Sequence, residues 1–277
     1  MNLAKRHFSL ALAAVALMGS ATLAHAQNAL ADVMKSKTLK VAVPTDYPPY
    51  GFAGLDLQPQ GLDIDVAKLI AEKLGVKIEL LPVVSANRIP YLQTKKADLV
   101  ISTLGKNAER EKVIDFTHAY APFYQGVFAA KGMTVKTFAD LSGKTVAVTR
   151  GAMEDEELAK VGPADMIVKR FEDQAGTSAA FASGQTQVIA TSVSNISTLA
   201  QKNPRLDAEY KLLLKDSPNF IGVAKGEDAL RAKVNEILLA AKADGTLEKL
   251  SQKWLKREAG NLPPVSYTHL TLPTKRI

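Results

Sequence analysis

The sequence predicts an α/β protein built as two lobes. Three features predict it. From Thr38 onward, short β-branched runs alternate with segments of helical period. The alternation starts afresh at Thr145, after a strand over 126–130 that leaves the first series. Two further strand-like segments then turn back, and two long helices close the fold. Strands joined by helices imply parallel pairing with right-handed crossovers. Two such units, crossed near residues 127 and 221, leave a cleft whose expected motion is hinge closure on a ligand. The division expected is 27–127 with 222–262 as lobe one, and 128–221 as lobe two.

Residues 1–26 precede this pattern. Lys5 and Arg6, an apolar run over 8–18 and Ala24-His25-Ala26 make a basic start, a hydrophobic stretch and a small-x-small cleavage site. That is a secretory signal peptide, expected to be cut after Ala26. The run is too short to span a bilayer, and no later stretch reaches about 18 apolar residues. The mature chain is expected to be exported and soluble.

Within lobe one, residues 39–43 form a strand ended by Pro44. Leu62, Val66, Leu69, Ile70 and Leu74 recur at helical spacing, with Gly75 as the stop. Strands follow over 77–81 and 98–101, with a short helix over 87–95 between them. In lobe two, strands are expected over 145–149, 167–170 and 187–190, alternating with helices over 154–161 and 174–183 and one through Leu199. Strands over 211–214 and 220–224 return. Leu230, Val234, Ile237, Leu238 and Ala241 stripe one closing helix, and Leu247, Leu250, Trp254 and Leu255 the other. The tail over 263–277 opens on Pro263-Pro264, and 265–277 carries no strand or helix period. It reads as disordered, or as a translated adapter or cloning remnant, and is left out of the fold.

An apolar content of 47% over 277 residues is ample for real cores. The formal charge of +7 falls to +5 when Lys5 and Arg6 are removed, and the excess is spread along the chain. Its short basic runs are not interleaved with aromatics, which argues against nucleic acid as a partner. The absence of cysteine excludes disulfides, thiolate metal sites and a Cys nucleophile. Past the signal only His118 and His269 remain, so no metal site and no cofactor are expected.

In an open α/β sheet, ligands sit at the carboxyl ends of the strands. Those ends carry Asp46 and Tyr47, then Ser85 and Arg88, then Ser102, Thr103 and Arg110; in the second unit they carry Arg150 and Ser192. A guanidinium fork matches a carboxylate bidentately, so the set points to a small anionic or zwitterionic ligand. Each group also has a plainer role: Arg88 and Arg110 as surface groups paired with Glu109 or Glu111, Tyr47 as lobe packing rather than a stacking wall, Asp46 as a loop cap rather than an ammonium acceptor, Arg150 as a partner of Glu154 or Asp155.

LKVAVPTDYPPYGF, GLDIDVAKLIAEKLGVKIELLPV, NAERE, IDFTHAYAPFY and DGTLEKLSQKWL together resemble the periplasmic solute-binding proteins of polar amino-acid ABC transporters, family 3 of the bacterial extracellular solute-binding proteins. The resemblance spans 38–262. It implies a type II periplasmic-binding-protein fold, two α/β lobes joined by a two-segment hinge. It also implies a periplasmic location, monomeric action and handover of the solute to an ABC permease in the inner membrane. By the same resemblance Arg110 grips the ligand α-carboxylate, Tyr47 stacks on the ligand, and Thr103 and the backbone near Gly105 bind the amino-acid head. SANRIPYLQ further resembles the glutamate/aspartate-binding branch, which gives Arg88, with Ser85, a side-chain carboxylate. The chain departs from the family in having Asn107 for the Thr of T-x-x-R, Gly151-Ala152-Met153 for G-T/S-T, and Ser192 for an Asp that holds the ligand ammonium.

The expectation is thus a binding component for a small polar amino acid, aspartate or glutamate first, or a related carboxylate. Two other readings stay open. One is an exported enzyme of the cyclohexadienyl-dehydratase type on the same scaffold, with Glu154 or Asp155 as general acid. The other is a ligand sensor that docks to a membrane receptor.

Overall fold

The computed structural model describes residues 28–260 and 262. The expected signal peptide and the 263–277 tail lie outside the described residues. Helix α1 (Ala29–Ser36) leads into strand β1 (Thr38–Val43), and β2 (Asp46–Tyr47), β3 (Gly51–Ala53) and β4 (Pro59–Gln60) form a small antiparallel sheet. Then come α2 (Leu62–Leu74), β5 (Lys77–Pro82), α3 (Arg88–Gln93), β6 (Leu99–Leu104), α4 (Ala108–Val113) and β7 (Ile114–Ala121). Lobe two holds β8 (Tyr124–Ala129), β9 (Thr145–Thr149), α5 (Met153–Val161), β10 (Ile167–Phe171), α6 (Gln174–Ala182), β11 (Val188–Ser192), α7 (Val193–Lys202) and β12 (Glu209–Asp216). The chain returns through β13 (Asn219–Ala224), α8 (Asp228–Ala243) and α9 (Thr246–Leu255).

The two five-stranded sheets share one plan. Sheet one runs β5-β1-β6-β13-β7 and sheet two runs β10-β9-β11-β8-β12. The first three strands of each are parallel, and the fourth runs against both its neighbours. That fourth strand is the one arriving from the other lobe. The crossings therefore fall at Pro122-Phe123 and Ser217-Pro218, where the Ser217 N–H donates to the Phe123 carbonyl at 3.1 Å. This corrects the boundaries read from sequence. Residues 124–127 belong to sheet two and 219–221 to sheet one, because an apolar run marks a strand without saying which sheet it joins. Strand β7 was not expected at all. Asp115, Thr117 and His118 interrupt its apolar run; the Asp115 carboxylate accepts from the Gly226 N–H and the Thr117 hydroxyl from the Ile221 N–H, while the His118 main-chain N–H donates to Asn235 Oδ1.

Burial explains the helices. In α2, Leu62, Val66, Ile70 and Leu74 are buried against sheet one. Gly75 ends the helix at φ +66°, its N–H donating to the carbonyls of Ala71 and Glu72, a left-handed stop that glycine adopts without a Cβ penalty. Helix α9 docks on α2 through Trp254 Nε1, which donates to Asp65 at 2.8 Å. In lobe two, successive residues face opposite layers: Val146, Val148, Val188 and Ala190 pack with Leu158 of α5, while Ala147 and Ile189 pack with Phe181 of α6 and Ile196 of α7. With helices on both faces, the sheets present their strand ends to one another. Among the described residues, no helix is long and apolar enough to cross a membrane.

Candidate functional site

Thr103, at the end of β6, has φ +44°, a left-handed conformation strained for a β-branched residue. Asp63 of α2 fixes it: one carboxylate oxygen accepts from the Thr103 N–H at 2.9 Å, the other from the Tyr120 hydroxyl at 2.7 Å. Burial pushes the Asp63 carboxyl up to about 7, opposed by these two hydrogen bonds and by Arg88. The turn so held aims two carbonyls at Arg88. Arg88 Nη1 donates to Ser102 O at 2.7 Å and to Thr103 O at 3.1 Å, Nε donates to Ser85 O at 3.1 Å, and Nη2 reaches Gly151 O of lobe two at 3.4 Å. Burial, then the neighbouring Arg110, lowers the Arg88 guanidinium to about 10.

Arg110 sits in the first turn of α4, where the Asn107 side chain caps its N–H at 2.9 Å. Its Nη1 donates to Gly105 O at 3.0 Å. Nη2 crosses to lobe two, donating to Gly151 O at 3.2 Å and pairing with Glu156 Oε1 at 2.7 Å. Asn107 Nδ2 donates to the other Glu156 oxygen at 2.6 Å. Arg110 Nε, buried, has no partner among the described residues.

The lobe-two side is the start of α5. Gly151 has φ +70°, and a Cβ there would lie 2.9 Å from the Cα of Ala86, so only glycine lets the two lobes approach this closely. Met153 is buried against Gly105, where an added Cβ would meet its methyl at 2.6 Å. Glu154 is 4% exposed, and its Oε1 has no hydrogen-bond partner among the described residues. Burial raises its carboxyl to about 7, with Arg88 and Arg110 pulling down and Glu156 pushing up.

Further polar contacts close the rim. Asp46 Oδ2 accepts from the N–H groups of Gln174 and Ala175, at 2.7 and 3.1 Å, and so caps α6 from the opposite lobe. The Tyr47 hydroxyl accepts from the Ser192 N–H and shares a hydrogen bond with Thr191, both at 3.2 Å, while its ring lies 5.2 Å from that of Tyr50. Asn195 Nδ2 donates to Pro48 O at 3.0 Å. Between the lobes remains a cavity of about 10 Å³ lined by Asp46, Tyr47, Ser85, Ser102, Thr103 and Gln174, at most one water in size.

The structure thus brings Asp46, Tyr47, Ser85, Arg88, Ser102, Thr103, Gly105, Arg110, Met153 and Ser192 to one inter-lobe gap. Arg150 is the exception. The turn at Gly151 sends the helix start inward and the Arg150 side chain outward, where it is 50% exposed and pairs with Glu172 at 2.9 Å instead of Glu154 or Asp155. Ser192 is in the gap, yet its hydroxyl accepts from the Asn195 N–H at 3.1 Å and caps α7. The sequence does not place Asp63, Asn195 or Glu156 here, and offers Glu154 only as an enzymatic acid or as a partner of Arg150. Helical phase held a signal: Leu158, the buried anchor of α5, lies four residues beyond Glu154 and shares its face. No cluster of three or more metal-ligating side chains occurs among the described residues.

Comparison with known proteins follows the same lines. Residues 39–257 match the family described as bacterial extracellular solute-binding proteins, family 3. The chain is 28% identical to the ABC transporter glutamine-binding protein GlnH of Bacillus subtilis (strain 168) over 245 residues, 87% of this chain and 89% of that one. Among solved structures, a mutant of ArgBP from T. maritima superposes with a TM-score of 0.76 at 30% identity, covering 83% of this chain and all of that one. The ancestral amino acid-binding protein AncCDT-1, a precursor of cyclohexadienyl dehydratase, superposes at 0.74 and 32% identity, covering 82% and 99%.

Proposed function

We propose, from the premise that this chain belongs to the bacterial extracellular solute-binding proteins of family 3, that it captures a polar amino acid between its lobes and delivers it to an ABC permease. One observation carries the reading. Two buried guanidinium groups of lobe one reach lobe two at the Gly151 carbonyl, one of them also at Glu156, and Arg110 there keeps an N–H that no described protein group accepts. The ligand carboxylate takes that donor and competes with Glu156 for the rest of the fork. The lobes, which Tyr47 already joins through Ser192 and Thr191, part about the hinge strands to admit it and close again over it.

Arg88 supports a different part from the one its position suggested. Four main-chain carbonyls already surround its guanidinium, which makes it a brace for the turn at Ser102-Thr103 more than a grip for a second carboxylate. The chain is a binding protein rather than an enzyme, as are its relatives over most of its length, which are named as transporter binding proteins. It acts exported, as a monomer, after loss of residues 1–26.

Thermal shift over the twenty amino acids tests the reading: a true ligand at about 100 times its Kd adds about 2.7 kcal/mol of stability. Calorimetry with the best of them should find Arg110→Ala weaker by roughly 2–5 kcal/mol, since the carboxylate is left buried without its partner. Unchanged binding would refute the site.

A further inference from the structure

We infer that the pole of lobe two farthest from the gap holds a second small-molecule site, which takes an amphipathic carboxylic acid. The apolar body of the acid lies on Phe181, Met133 and Leu206, and its carboxylate is met by Arg205 and Thr186. This site is separate from amino-acid capture between the lobes.

Its place follows from the topology of sheet two. Strand β8 runs from the hinge out to Ala129, and β11 runs from Val188 back to Ser192 at the gap. Ala130 and Gln187, just beyond those outer ends, line a cavity of about 420 Å³, against about 10 Å³ left between the lobes. The larger volume falls within the ~300–1,000 Å³ usual for small-molecule pockets. Helix α6 connects the two places. Asp46 holds the Gln174 N–H at its start, while Phe181 and Ala182 at its end form part of the cavity wall. A helix of 9 residues spans about 13 Å, so the cavity lies well clear of the gap.

The wall is tied together by its own backbone. After α7 the chain turns at Asn203-Pro204-Arg205-Leu206, closed by the Leu206 N–H donating to Asn203 O at 2.8 Å, with proline in the second position that such turns favour. Asp207 Oδ1 accepts from the Lys131 N–H at 3.1 Å, and Lys211 Nζ donates to Lys131 O at 3.1 Å. The turn that carries Arg205 is thereby fixed to the segment leaving β8.

Two polar groups of this cavity are unspent. Thr186 lines it at 2% exposed, and its hydroxyl has no hydrogen-bond partner among the described residues, although its N–H donates to Ala180 O at 3.2 Å. A buried hydroxyl left so is unfavourable and calls for a partner. Arg205 lines the cavity too, and its guanidinium makes no hydrogen bond, ion pair or ring contact among the described residues. The other charged side chain of the lining, Asp207, is engaged with the Lys131 main chain. What remains on offer is a cationic fork and a hydroxyl beside an apolar wall. A carboxylate has lone pairs for both donors at once, and an attached hydrocarbon covers the wall.

The test uses the mature chain, ligand-observed NMR and calorimetry, with 3-phenylpropanoate and hexanoate as probes and their primary amides as neutral controls. Both acids should bind with a Kd of about 1 mM or below, and the amides at least tenfold more weakly. Arg205→Ala and Ala182→Trp, both at exposed positions, should weaken the acids at least tenfold, the second by filling the cavity. Thr186→Val should weaken them at least threefold, whereas Arg110→Ala should leave them within twofold. Failure of both acids to bind, equal binding of acids and amides, or R205A and A182W proteins that bind like wild type overturns the second site. Binding that R110A abolishes and R205A spares also overturns it, by placing the acids between the lobes. Should T186V fail to fold, R205A and A182W decide. None of these outcomes bears on amino-acid capture, which the thermal-shift screen tests on its own.

Discussion

The loops after β5 and after β6 each deliver one arginine to the same gap, and the two residues meet different fates. Arg88 is enclosed chiefly by its own lobe: three of its four acceptors are the carbonyls of Ser85, Ser102 and Thr103. Arg110 spends one bond on its own lobe, at Gly105, and two on the other, at Gly151 and Glu156, with one N–H left over. Residue type is the same, burial is nearly the same, at 3% and 5% exposed, and the chemistry differs. A guanidinium wrapped by carbonyls of one rigid body serves folding. One shared across a moving interface serves closure and binding.

The largest expected effect separates the two. Arg88→Ala should lower unfolding free energy in urea by roughly 3–5 kcal/mol, the usual cost of breaking a buried charged network, because three buried carbonyls lose their donor while Thr103 stays strained. Arg110→Ala should lower ligand-free stability by less, about 1.5–3 kcal/mol, the net worth of a hydrogen bond to a charged group, because Glu156 keeps its bond to Asn107 and reaches solvent. Equal losses would erase the contrast.

A smaller effect comes from pH. Burial raises Asp63 and Glu154 from 3.8 and 4.5 to about 7, so each holds a proton in the folded protein that it has given up when unfolded between those values. Their contribution to stability is whole below about pH 4 and fades as pH rises through 7. Urea titrations of the ligand-free chain should show this decline, and E154Q should flatten it in part. Smallest of all, Arg150→Ala should change neither stability nor affinity beyond about 0.5 kcal/mol, as expected for an exposed ion pair.

Some of this was legible in the sequence. The α2 stripe with its Gly75 stop and the β-branched run over 145–149 gave elements whose ends match the structure, because local spacing and turn chemistry decide them. The strand-end rule gathered most of the gap. What stayed hidden depends on contacts distant in sequence. Strand β7 is stabilised by partners as far away as Asn235, and the sheet joined by β8 and β13 depends on pairing rather than composition. Arg150 and Glu154 lie four residues apart and point opposite ways because Gly151 turns the chain between them, a reversal that residue type alone does not announce.

Gly151 has one more consequence. Its single carbonyl oxygen is where both arginines touch lobe two, at 3.4 and 3.2 Å. A main-chain oxygen survives every amino-acid replacement, so this latch point is invariant to mutation at its own position except through shape. Side chains around the pocket are therefore free to diversify toward new solutes while the docking register of the halves stays anchored to the backbone, and only an ester in place of that peptide unit would probe it directly.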